Sequence, residues 1–459
     1  MDLVKSVHQR WAPRDPLQVD APAQSPGGQA AAEVEVVGMN FYGHTRTLMR
    51  MVMPGLFLLS IPFGTLADEA TSKKPDWYQR LEMLRSVPYI SHSEDLVDAN
   101  EAGVVLYDPE KSYAGYNFYC TNHSGKAFLL DMMGQEVHRW EYSSRGGVIA
   151  DHAVLLENGD LMVIKVGDLL RLNWDSDLIW RKKMSAHHDV AQAPDGSFYA
   201  IVKERWAHRD KQVWFDALVH ISAKGEELDR WSSYKNLAQL KGVLDTRSFL
   251  DTVLDSTRGS SPPESKISAS PGRLRVHRDL EYFHMNTVNI IPDNDLGEKD
   301  GRFQRGNLLV CFRNVNQIAV LEKDTYRVLW AWGEGNLEEP HHPTMLPNGH
   351  ILVFDNGTQR RYSRVVELDP LAEYIVWEYM ADPPDDFYSC RKGAAQRLPN
   401  GNTFISESDQ GRVFEVTHEG ELVWEWLNPV VIGRHRQGYY RMLRLPAAFV
   451  DGLLEVHRD

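Results

Sequence analysis

Histidines stand at matching places before turn signals in this chain of 459 residues. His188 and His341 each lie six residues before a turn proline, which is Pro194 in Pro-Asp-Gly and Pro347 in Pro-Asn-Gly. A strand that enters such a turn presents alternate residues on one face, so the equal spacing predicts that both imidazoles point to one place. An imidazole held there can act as a nucleophile or carry a proton.

Two further segments extend this register. Asn286 lies six residues before Pro292, and His284 lies two residues earlier, on the same face of the predicted strand. Gly393 takes the equivalent place in another segment, where we expect it to leave room for a ligand. His152 is out of register by one residue, which favours a structural role for it.

A basic residue lies in the strand-like segment LLVCFRNVNQI, which follows a loop at 293–306. We expect this residue, Arg313, to point into the same channel as the histidines. A buried guanidinium beside neutral imidazoles would bind a tetrahedral oxyanion, because it offers paired donors. A salt bridge within the sheet is the alternative for Arg313. Cys311, two residues earlier, is interpreted as an ordinary buried thiol.

A repeat predicts the elements that would position these residues. Six segments share one pattern, in which an apolar strand, a polar turn and a second apolar strand end in tryptophan. A hairpin with a glycine turn, such as LPNGH or LPNGN, precedes most of them. Four antiparallel strands in each of six repeats predict an all-β, six-bladed β-propeller, whose first strands line a central channel. The six segments span 128–140, 169–180, 218–231, 318–330, 365–377 and 413–424.

The composition is that of an acidic globular protein. There are 50 Lys and Arg against 64 Asp and Glu, so the formal net charge is −14. This acidity argues against nucleic-acid partners, because no basic surface remains to neutralise phosphates. The three cysteines allow at most one disulfide and form no Cys-x-x-Cys pair.

The N-terminal region resembles an export signal. Arg46 and Arg50 precede a short apolar run at 51–67, which ends in Thr-Leu-Ala. The run holds two prolines and is shorter than the roughly 20 residues of a membrane helix. It therefore predicts a signal peptide, with an uncleaved anchor as the alternative, and a periplasmic or secreted protein. The predicted domains are a disordered or non-native upstream segment (1–38), a signal peptide or N-terminal anchor (39–67), an N-terminal extension (68–115) and the propeller (116–459) with an inserted cap (232–283).

The motifs together resemble those of the bacterial arylsulfotransferase family. They are HHDV followed by PDG, HMN followed by FRNVNQI, HHPTMLPNGHILVFDNG, and QRLPNGNTFISE followed by GRVFEVTHEGELVWEW. They occur in the family's order over residues 115–445. The resemblance implies a periplasmic six-bladed propeller that moves sulfate between phenols without a nucleotide donor or a cofactor. It also implies ping-pong transfer through a sulfated histidine.

The resemblance further implies roles for individual residues. The nucleophile falls at His341, with His342 of the same doublet as an alternative. His284 would protonate the departing phenolate and then deprotonate the incoming phenol, and Arg313 would hold the sulfate charge. The remaining catalytic and substrate-binding positions in these motifs are His188, Asp189, Asn286 and Asn314. Gly393 is added as a substrate-binding position because of its register.

Two other classes of function remain open. Propellers can gather imidazoles on a central iron, copper or zinc ion. Arg313 in the same pocket opposes this hypothesis, because a fixed cation repels a second one. The other alternative is a non-catalytic secreted propeller that binds a ligand or a protein partner. A transferase would take a small aryl sulfate donor and a phenolic acceptor, with no nucleic acid and no stable membrane partner beyond a possible N-terminal anchor. The imidazoles available to a metal are those of His188, His284, His341 and His342.

Overall fold

Antiparallel β-sheets follow one another along the chain. The computed structural model describes residues 101–121, 125–142, 150–165, 167–208, 211–244 and 280–458. The predicted segments 1–38 and 39–67 lie outside these residues, as do most of the predicted extension and most of the predicted insertion. In the described part of the chain, no helix is both long enough and apolar enough to cross a membrane.

The regular elements are mostly short strands. Within the described ranges, two α-helices accompany them, α1 (Leu237–Val243) and α2 (Ala447–Val456). In chain order the strands are β1 (Gly103–Tyr107), β2 (Gly115–Cys120), β3 (Lys126–Leu130), β4 (Glu136–Glu141), β5 (Ala150–Leu155), β6 (Leu161–Lys165), β7 (Gly167–Leu172), β8 (Leu178–Gln192), β9 (Phe198–His208), β10 (Lys211–Ile221), β11 (Glu227–Ser232), β12 (Leu280–Glu281), β13 (Met285–Ile290), β14 (Leu308–Phe312), β15 (Gln317–Leu321), β16 (Val328–Trp332), β17 (His341–Met345), β18 (Ile351–Asp355), β19 (Arg364–Asp369), β20 (Tyr374–Tyr379), β21 (Ala394–Arg397), β22 (Thr403–Glu407), β23 (Arg412–Val416), β24 (Leu422–Leu427), β25 (Val431–Ile432), β26 (His435–Arg436) and β27 (Met442–Pro446).

These strands form sheets in a propeller-like arrangement. Strands β13 to β16, β17 to β20 and β21 to β24 each form one antiparallel meander, and β1 is added beside β24. The 15-residue strand β8 pairs with β7 through its first half and with β9 through its second half, which joins β5 to β11 into one sheet. First strands contact one another in turn: β5 with β8, β8 with β13, β13 with β17, and β17 with β21. Residues at the starts of these strands therefore converge.

Glycine turns join first strands to second strands, as the Pro-Asp-Gly and Pro-Asn-Gly signals predict. Gly196 and Gly349 have φ values of +81° and +86°. Their N–H groups donate to Ala193 O and Leu346 O, each at 2.9 Å. Glycine adopts this backbone conformation at no steric cost, so the turns hold the strand register in place.

The repeated tryptophans lie on the last strand of each four-stranded set, and three of them connect neighbouring sets. Each of these indole N–H groups donates to a carbonyl in the turn between the third and fourth strands of the next set. A tryptophan both fills the core and ends in one polar donor, which suits this position. The bonds run from Trp180 to Ala223 O at 3.1 Å, from Trp377 to His418 O at 2.9 Å, and from Trp424 to Met132 O at 3.0 Å.

The C-terminal strand completes the first sheet, and the repeat pattern does not predict it. β27 pairs with β2, so that the sheet runs β27, β2, β3, β4. β27 has no glycine turn after it, because helix α2 begins at Ala447. Val450 and Leu453 of this helix pack into the core beside Trp174. The first sheet therefore takes strands from both ends of the described chain.

Arg444 on β27 connects the first sheet to the sheet of β21 to β24. The side chain is 1% exposed. Its Nε donates to Asn117 Oδ1 of β2 at 2.6 Å, and its Nη1 lies 3.0 Å from Glu415 Oε2 of β23. Glu415 is fully buried as well. Each charge is therefore tolerated in the core only because its partner is present.

Replacing Arg444 should destabilise the fold strongly. We expect Arg444→Met to lower the free energy of unfolding by about 3–5 kcal/mol, because Glu415 is left buried without a counter-charge. Urea unfolding followed by tryptophan fluorescence measures the change. The control is Arg327→Met, which breaks an ion pair of the exposed Arg327 with Glu322 and should cost less than about 1 kcal/mol. Equal losses of unfolding free energy in the two variants would contradict the role of the buried Arg444–Glu415 pair in connecting the two sheets.

Candidate active site

Two of the predicted histidines meet where the first strands converge, and a third lies beside them. His188 lies on β8, His284 directly precedes β13, and His341 opens β17. All three are buried, with exposures of 2%, 5% and 2%. The Nε2 atoms of His188 and His284 are 3.1 Å apart. His188 and His284 therefore share one buried space, and His341 is close enough for its charge to act on His188.

Irregular strand starts aim these side chains. The ladders β13–β14 and β17–β18 shift register near the beginning of the first strand, and the ladder β8–β9 shifts between Ala186 and Val190, in the second half of β8. The backbone is left-handed at His188 (φ +60°), His284 (φ +52°) and His342 (φ +49°). Bulges and left-handed residues of this kind re-aim side chains and concentrate at functional sites. Simple alternation of faces therefore does not apply within the His341–His342 doublet.

A side-chain amide orients His341. Its Nδ1 lies 2.7 Å from Asn356 Oδ1. Asn356 Nδ2 donates to Ser389 O at 2.6 Å and to Lys392 O at 2.8 Å, so the amide oxygen must be the atom that faces the imidazole. The proton of His341 therefore sits on Nδ1, and Nε2 carries the lone pair.

The surroundings also keep His341 neutral. Burial lowers the pKa of His341 well below its ordinary value, and the positive charge of Arg313 lowers it further. The hydrogen bond to Asn356 opposes this shift but does not cancel it. A neutral imidazole with an oriented lone pair is the form that attacks an electrophile.

Arg313 begins a 3₁₀ turn, Arg313–Val315, and is not on the strand where the sequence places it, because β14 ends at Phe312. Its guanidinium forms an ion pair with Glu339 and donates from Nη1 to Asn314 Oδ1 at 3.4 Å. The side chain is 4% exposed, and within the described residues its Nε has no hydrogen-bond partner. The salt bridge thus occupies one side of the guanidinium, and one buried N–H is left to serve an anion.

A carboxylate supports His284. Glu281 pairs through Oε2 with His284 Nδ1 and through Oε1 with Lys203 Nζ. Burial disfavours the Glu281 carboxylate, but Lys203 and His284 outweigh this effect and hold the pKa of Glu281 well below its usual range. Glu281 is therefore an ionised acceptor beside Nδ1 of His284.

His188 is supported through its sequence neighbour. The Nδ1 atoms of His187 and His188 are 2.5 Å apart, and His187 Nε2 lies 3.2 Å from Asp216 Oδ1. Asp216 Oδ2 accepts the backbone N–H of Met285 at 2.9 Å. Burial lowers the pKa of His187, and it lowers the pKa of His188 further. Both imidazoles are therefore neutral near pH 7.

His342 belongs to a different buried group. Its Nδ1 lies 3.1 Å from Ala395 O. Arg441 Nη2 donates to Asp189 Oδ2 at 3.1 Å, and His152 Nε2 lies 3.5 Å from Asp189 Oδ1. Burial and then the Arg441 charge lower the pKa of both His152 and His342 well below the ordinary value. The doublet thus has one member in the field of Arg313 and the other in the field of Arg441.

Two predicted asparagines connect the elements that carry the site. Asn286 Nδ2 donates to Pro340 O at 2.8 Å, which links β13 to the residue before His341. Asn314 Nδ2 donates to Glu281 O at 3.1 Å, on the segment that leads to β13. Both amides therefore hold backbone in place beside the histidines.

Gly393 does not provide room for a ligand at its Cβ position. A Cβ added there would lie 2.3 Å from the ring of Phe354, a residue of β18. The glycine is needed because an aromatic ring of the neighbouring sheet fills that space. This differs from the expectation drawn from register alone, which could not show which side chain packs against the strand.

The imidazoles named by the metal hypothesis are engaged with other groups. His188 and His284 contact each other, and His341 Nδ1 contacts Asn356. Over the described ranges, no group of three or more His, Cys, Asp or Glu side chains is arranged to hold a metal ion.

Several residues that orient the site have no motif in the sequence. Glu281, Lys203 and Asp216 come from segments without any chemical signature. Asn356 lies in the DNG at 355–357, which is most simply interpreted as a turn. Its signal is positional: it follows β18, and β18 pairs with β17 so that Phe354 faces His341.

Buried histidines thus lie near a buried arginine on sheets in a propeller-like arrangement. The family described as Arylsulfotransferase (ASST) matches residues 152–429 of the chain. The chain belongs to this family. Membership implies arylsulfotransferase activity.

Comparison with solved structures finds remote similarities. No curated protein matches the chain. Similar solved structures include a protein of unknown function from Bacteroides caccae, with 15% identity over 71% of this chain and 97% of that one and a TM-score of 0.42. Virginiamycin B lyase from Staphylococcus aureus is similar at 8% identity over 75% of this chain and 86% of that one, with a TM-score of 0.40. The β-propeller domain of Cps50 (Swd1) from Myceliophteria thermophila is similar at 10% identity over 78% of this chain and 90% of that one, with a TM-score of 0.40.

The buried histidines should make stability depend on pH. The pKa values of His152, His188, His341 and His342 are well below the ordinary value in the fold. Below about pH 6.5 the unfolded chain binds protons that the folded chain does not, so the free energy of unfolding falls with decreasing pH, by up to about 1.4 kcal/mol per unit for each histidine.

Urea unfolding at about pH 7.5, 6.5 and 5.5 measures this slope. A His342→Gln variant should show a shallower slope, since one of the four groups is gone. Stability that is flat over this range would mean that these histidines accept protons in the folded state.

Proposed function

We propose that the protein moves a sulfuryl group from an aryl sulfate ester to a phenol through a covalent intermediate on His341. Family membership supports the overall activity. The observation that carries the mechanism is the hydrogen bond from His341 Nδ1 to Asn356 Oδ1, which leaves the lone pair on Nε2. A nucleophile prepared in this way needs no separate base to remove a proton before attack.

In the first half-reaction, His341 Nε2 attacks the sulfur of the donor. The N–S bond forms as the S–O bond to the phenol breaks, and the electron pair of that bond goes to the phenolic oxygen. A proton from His284 neutralises the departing phenolate, so the phenol leaves neutral. The sulfuryl group remains on His341 Nε2. The proton on Nδ1 of this ring stays in place and keeps its hydrogen bond to Asn356 Oδ1.

In the second half-reaction, the oxygen of an acceptor phenol attacks the same sulfur. Its proton passes to His284, and the N–S electron pair returns to His341 Nε2. The enzyme is restored, and the product is a new aryl sulfate. One imidazole thus serves as acid in the first step and as base in the second, as a reversible transfer requires.

Arg313 is suited to stabilise the sulfuryl oxygens in flight. Its buried Nε–H has no partner within the described residues. A donor fixed in advance in a water-poor site stabilises developing charge more than a mobile donor does. The field of Arg313 also reaches His341, as the lowered pKa of that imidazole indicates, with burial as the larger cause.

We prefer His341 to His342 as the nucleophile because the two imidazoles have different charged neighbours. His341 lies in the fields of Arg313 and His284, which would supply the charge and the proton. His342 lies in the field of Arg441, whose guanidinium donates to Asp189.

We also propose that the sheets form six blades. The shared strand β8 divides naturally between two sets, since its halves pair with β7 and with β9. The sets would then be β27 with β2 to β4, β5 to the first half of β8, the second half of β8 to β11, and the three meanders that follow. An experimental structure with five or seven radial sets would contradict this count.

The transfer and its nucleophile can be tested together. With 4-nitrophenyl sulfate and phenol, the enzyme should release 4-nitrophenolate, and the His341→Ala variant should lose at least about 1000-fold of that rate, as removal of a nucleophile does. The His342→Ala variant should retain more activity. Mass spectrometry of enzyme quenched without acceptor should find the sulfuryl group on the peptide that contains His341.

Each outcome separates the hypotheses. Loss of activity in His342→Ala but not in His341→Ala would move the nucleophile to His342. No release with any phenol would contradict the transferase proposal and favour a binding protein.

We propose further that the protein is exported. The support is the basic and apolar pattern at 46–67, which lies outside the described residues. Fractionation of cells that produce the full chain with a C-terminal tag should find a shortened form in the periplasm or the medium. A full-length chain in the cytoplasm would contradict export.

A further inference from the structure

A cavity lies between the sheet that contains β9 and β10 and the sheet of β13 to β16. Its volume of about 380 Å³ is in the range of small-molecule binding sites. Ile290, the last residue of β13, lines the cavity, whereas His284 directly precedes the first residue of that strand. At about 3.3 Å per residue, the cavity is therefore about 20 Å from the histidines of the candidate active site.

Two stacked rings form one wall of this cavity. Tyr199 on β9 and His220 on β10 are cross-strand partners, with ring centroids 4.4 Å apart and an angle of 4° between the planes. We call this pair the ring wall. Tyr199 is 7% exposed, and its hydroxyl makes no hydrogen bond with any residue in the described part of the chain. Burial raises the pKa of Tyr199, so the hydroxyl is a donor that a ligand in the cavity can satisfy.

Hydrogen bonds from the preceding turn fix the ring wall. The backbone N–H and the hydroxyl of Ser197 both donate to Asp195 Oδ1, at 2.9 Å and 2.5 Å. Because the hydroxyl has only one proton, Ser197 Oγ accepts from His220 Nε2 at 2.8 Å. A nucleophilic serine has the opposite order, since its hydroxyl donates to the imidazole. These three side chains therefore support the wall of a binding site and do not form a catalytic set.

The opposite side of the cavity presents two unlike charges. Lys323 and Asp324 lie in the turn between β15 and β16, and their side chains form no ion pair or hydrogen bond with another residue in the described ranges. After burial, nearby carboxylates including Asp324 raise the pKa of Tyr199, so Asp324 lies close to the ring wall. Arg305 also lines the cavity, but its Nη1 pairs with Asp293 Oδ2 at 2.7 Å. One cation and one anion are thus left for a ligand.

We propose that this cavity binds an aromatic zwitterion, such as a free aromatic α-amino acid. Its carboxylate would pair with Lys323 and accept from the Tyr199 hydroxyl. Its ammonium would pair with Asp324, and its ring would pack on the ring wall. A purely anionic ligand would be repelled by Asp324 and a purely cationic one by Lys323, so a molecule with both charges matches the cavity best. The proposal concerns binding alone and does not depend on the proposed sulfuryl transfer.

L-Phenylalanine is the probe, because it has the ring and both charges but no phenolic hydroxyl that could accept a sulfuryl group. A titration of the full chain followed by ligand-detected NMR should show saturable binding, with a Kd at or below about 1 mM. Three analogues each lack one group: 3-phenylpropanoate lacks the ammonium, 2-phenylethylamine lacks the carboxylate, and L-alanine lacks the ring. Each analogue should bind at least about tenfold more weakly than L-phenylalanine.

Two variants in the exposed turn show which charge recognises which group. Lys323→Met should weaken binding of L-phenylalanine by about tenfold or more but should not weaken binding of 2-phenylethylamine, which has no carboxylate. Asp324→Asn should likewise weaken L-phenylalanine but not 3-phenylpropanoate, which has no ammonium. The control is Lys224→Met, since Lys224 is an exposed lysine in the corresponding turn between β10 and β11. This control should bind L-phenylalanine as the unchanged protein does.

Three results would overturn the inference. The first is the absence of saturable binding, and the second is equal affinity for L-phenylalanine in Lys323→Met and Lys224→Met. The third is equal affinity of the unchanged protein for L-phenylalanine and 3-phenylpropanoate, which would indicate a site for aromatic anions. Because the titration requires no turnover, its failure is distinct from a failure to release 4-nitrophenolate, which would contradict the proposed function and leave this inference intact.

Discussion

Burial of several imidazoles where the first strands meet is the constraint on which the rest of the site depends. A buried polar nitrogen needs a partner, and a buried charge needs a counter-charge. The partners are Asn356 for His341, Glu281 for His284 and Asp216 behind His187. They come from β10, β12 and the segment after β18, so the sheets must hold a fixed order for the imidazoles to be satisfied. The tryptophan bonds between sets and the buried Arg444 pair supply that order.

A register shift of one residue at the start of β17 determines which groups the two histidines of the His341–His342 doublet contact. The bulge between β17 and β18 and the left-handed backbone at His342 turn two consecutive side chains toward different groups. Left-handed residues other than glycine cost about 1–3 kcal/mol each, and His188 and His284 share this conformation. The surrounding sheets stabilise these conformations. Every residue of strands β14, β15 and β18 in these sheets is buried. The site is thus built from locally unfavourable backbone within a well-packed frame.

Local signals predicted local features well. The glycine turns predicted the hairpins, the spacing to Pro194 and Pro347 predicted the strands that bring His188 and His341 to the centre, and the tryptophan repeat predicted the last strand of each set. Features that depend on distant partners were beyond such signals. β27 pairs with a strand more than 300 residues away, and the ring of Phe354 that excludes a side chain at Gly393 belongs to another sheet. Glu281 and Asp216 act through contacts that no spacing encodes.

The pairing of Arg313 with Glu339 bears on how the proposed reaction would favour transfer over simple binding. An unpaired buried guanidinium would attract sulfate esters in their ground state, which lowers KM without lowering the barrier. Glu339 offsets part of the charge of Arg313, so oriented N–H groups contribute beside the charge that reaches His341. Such donors act most strongly on the charge that develops on the sulfuryl oxygens during transfer. The acidic partner therefore limits tight binding of the donor and product esters. This suits the proposed ping-pong reaction, because the phenol of the donor would leave before the acceptor phenol enters, and the product ester would then leave.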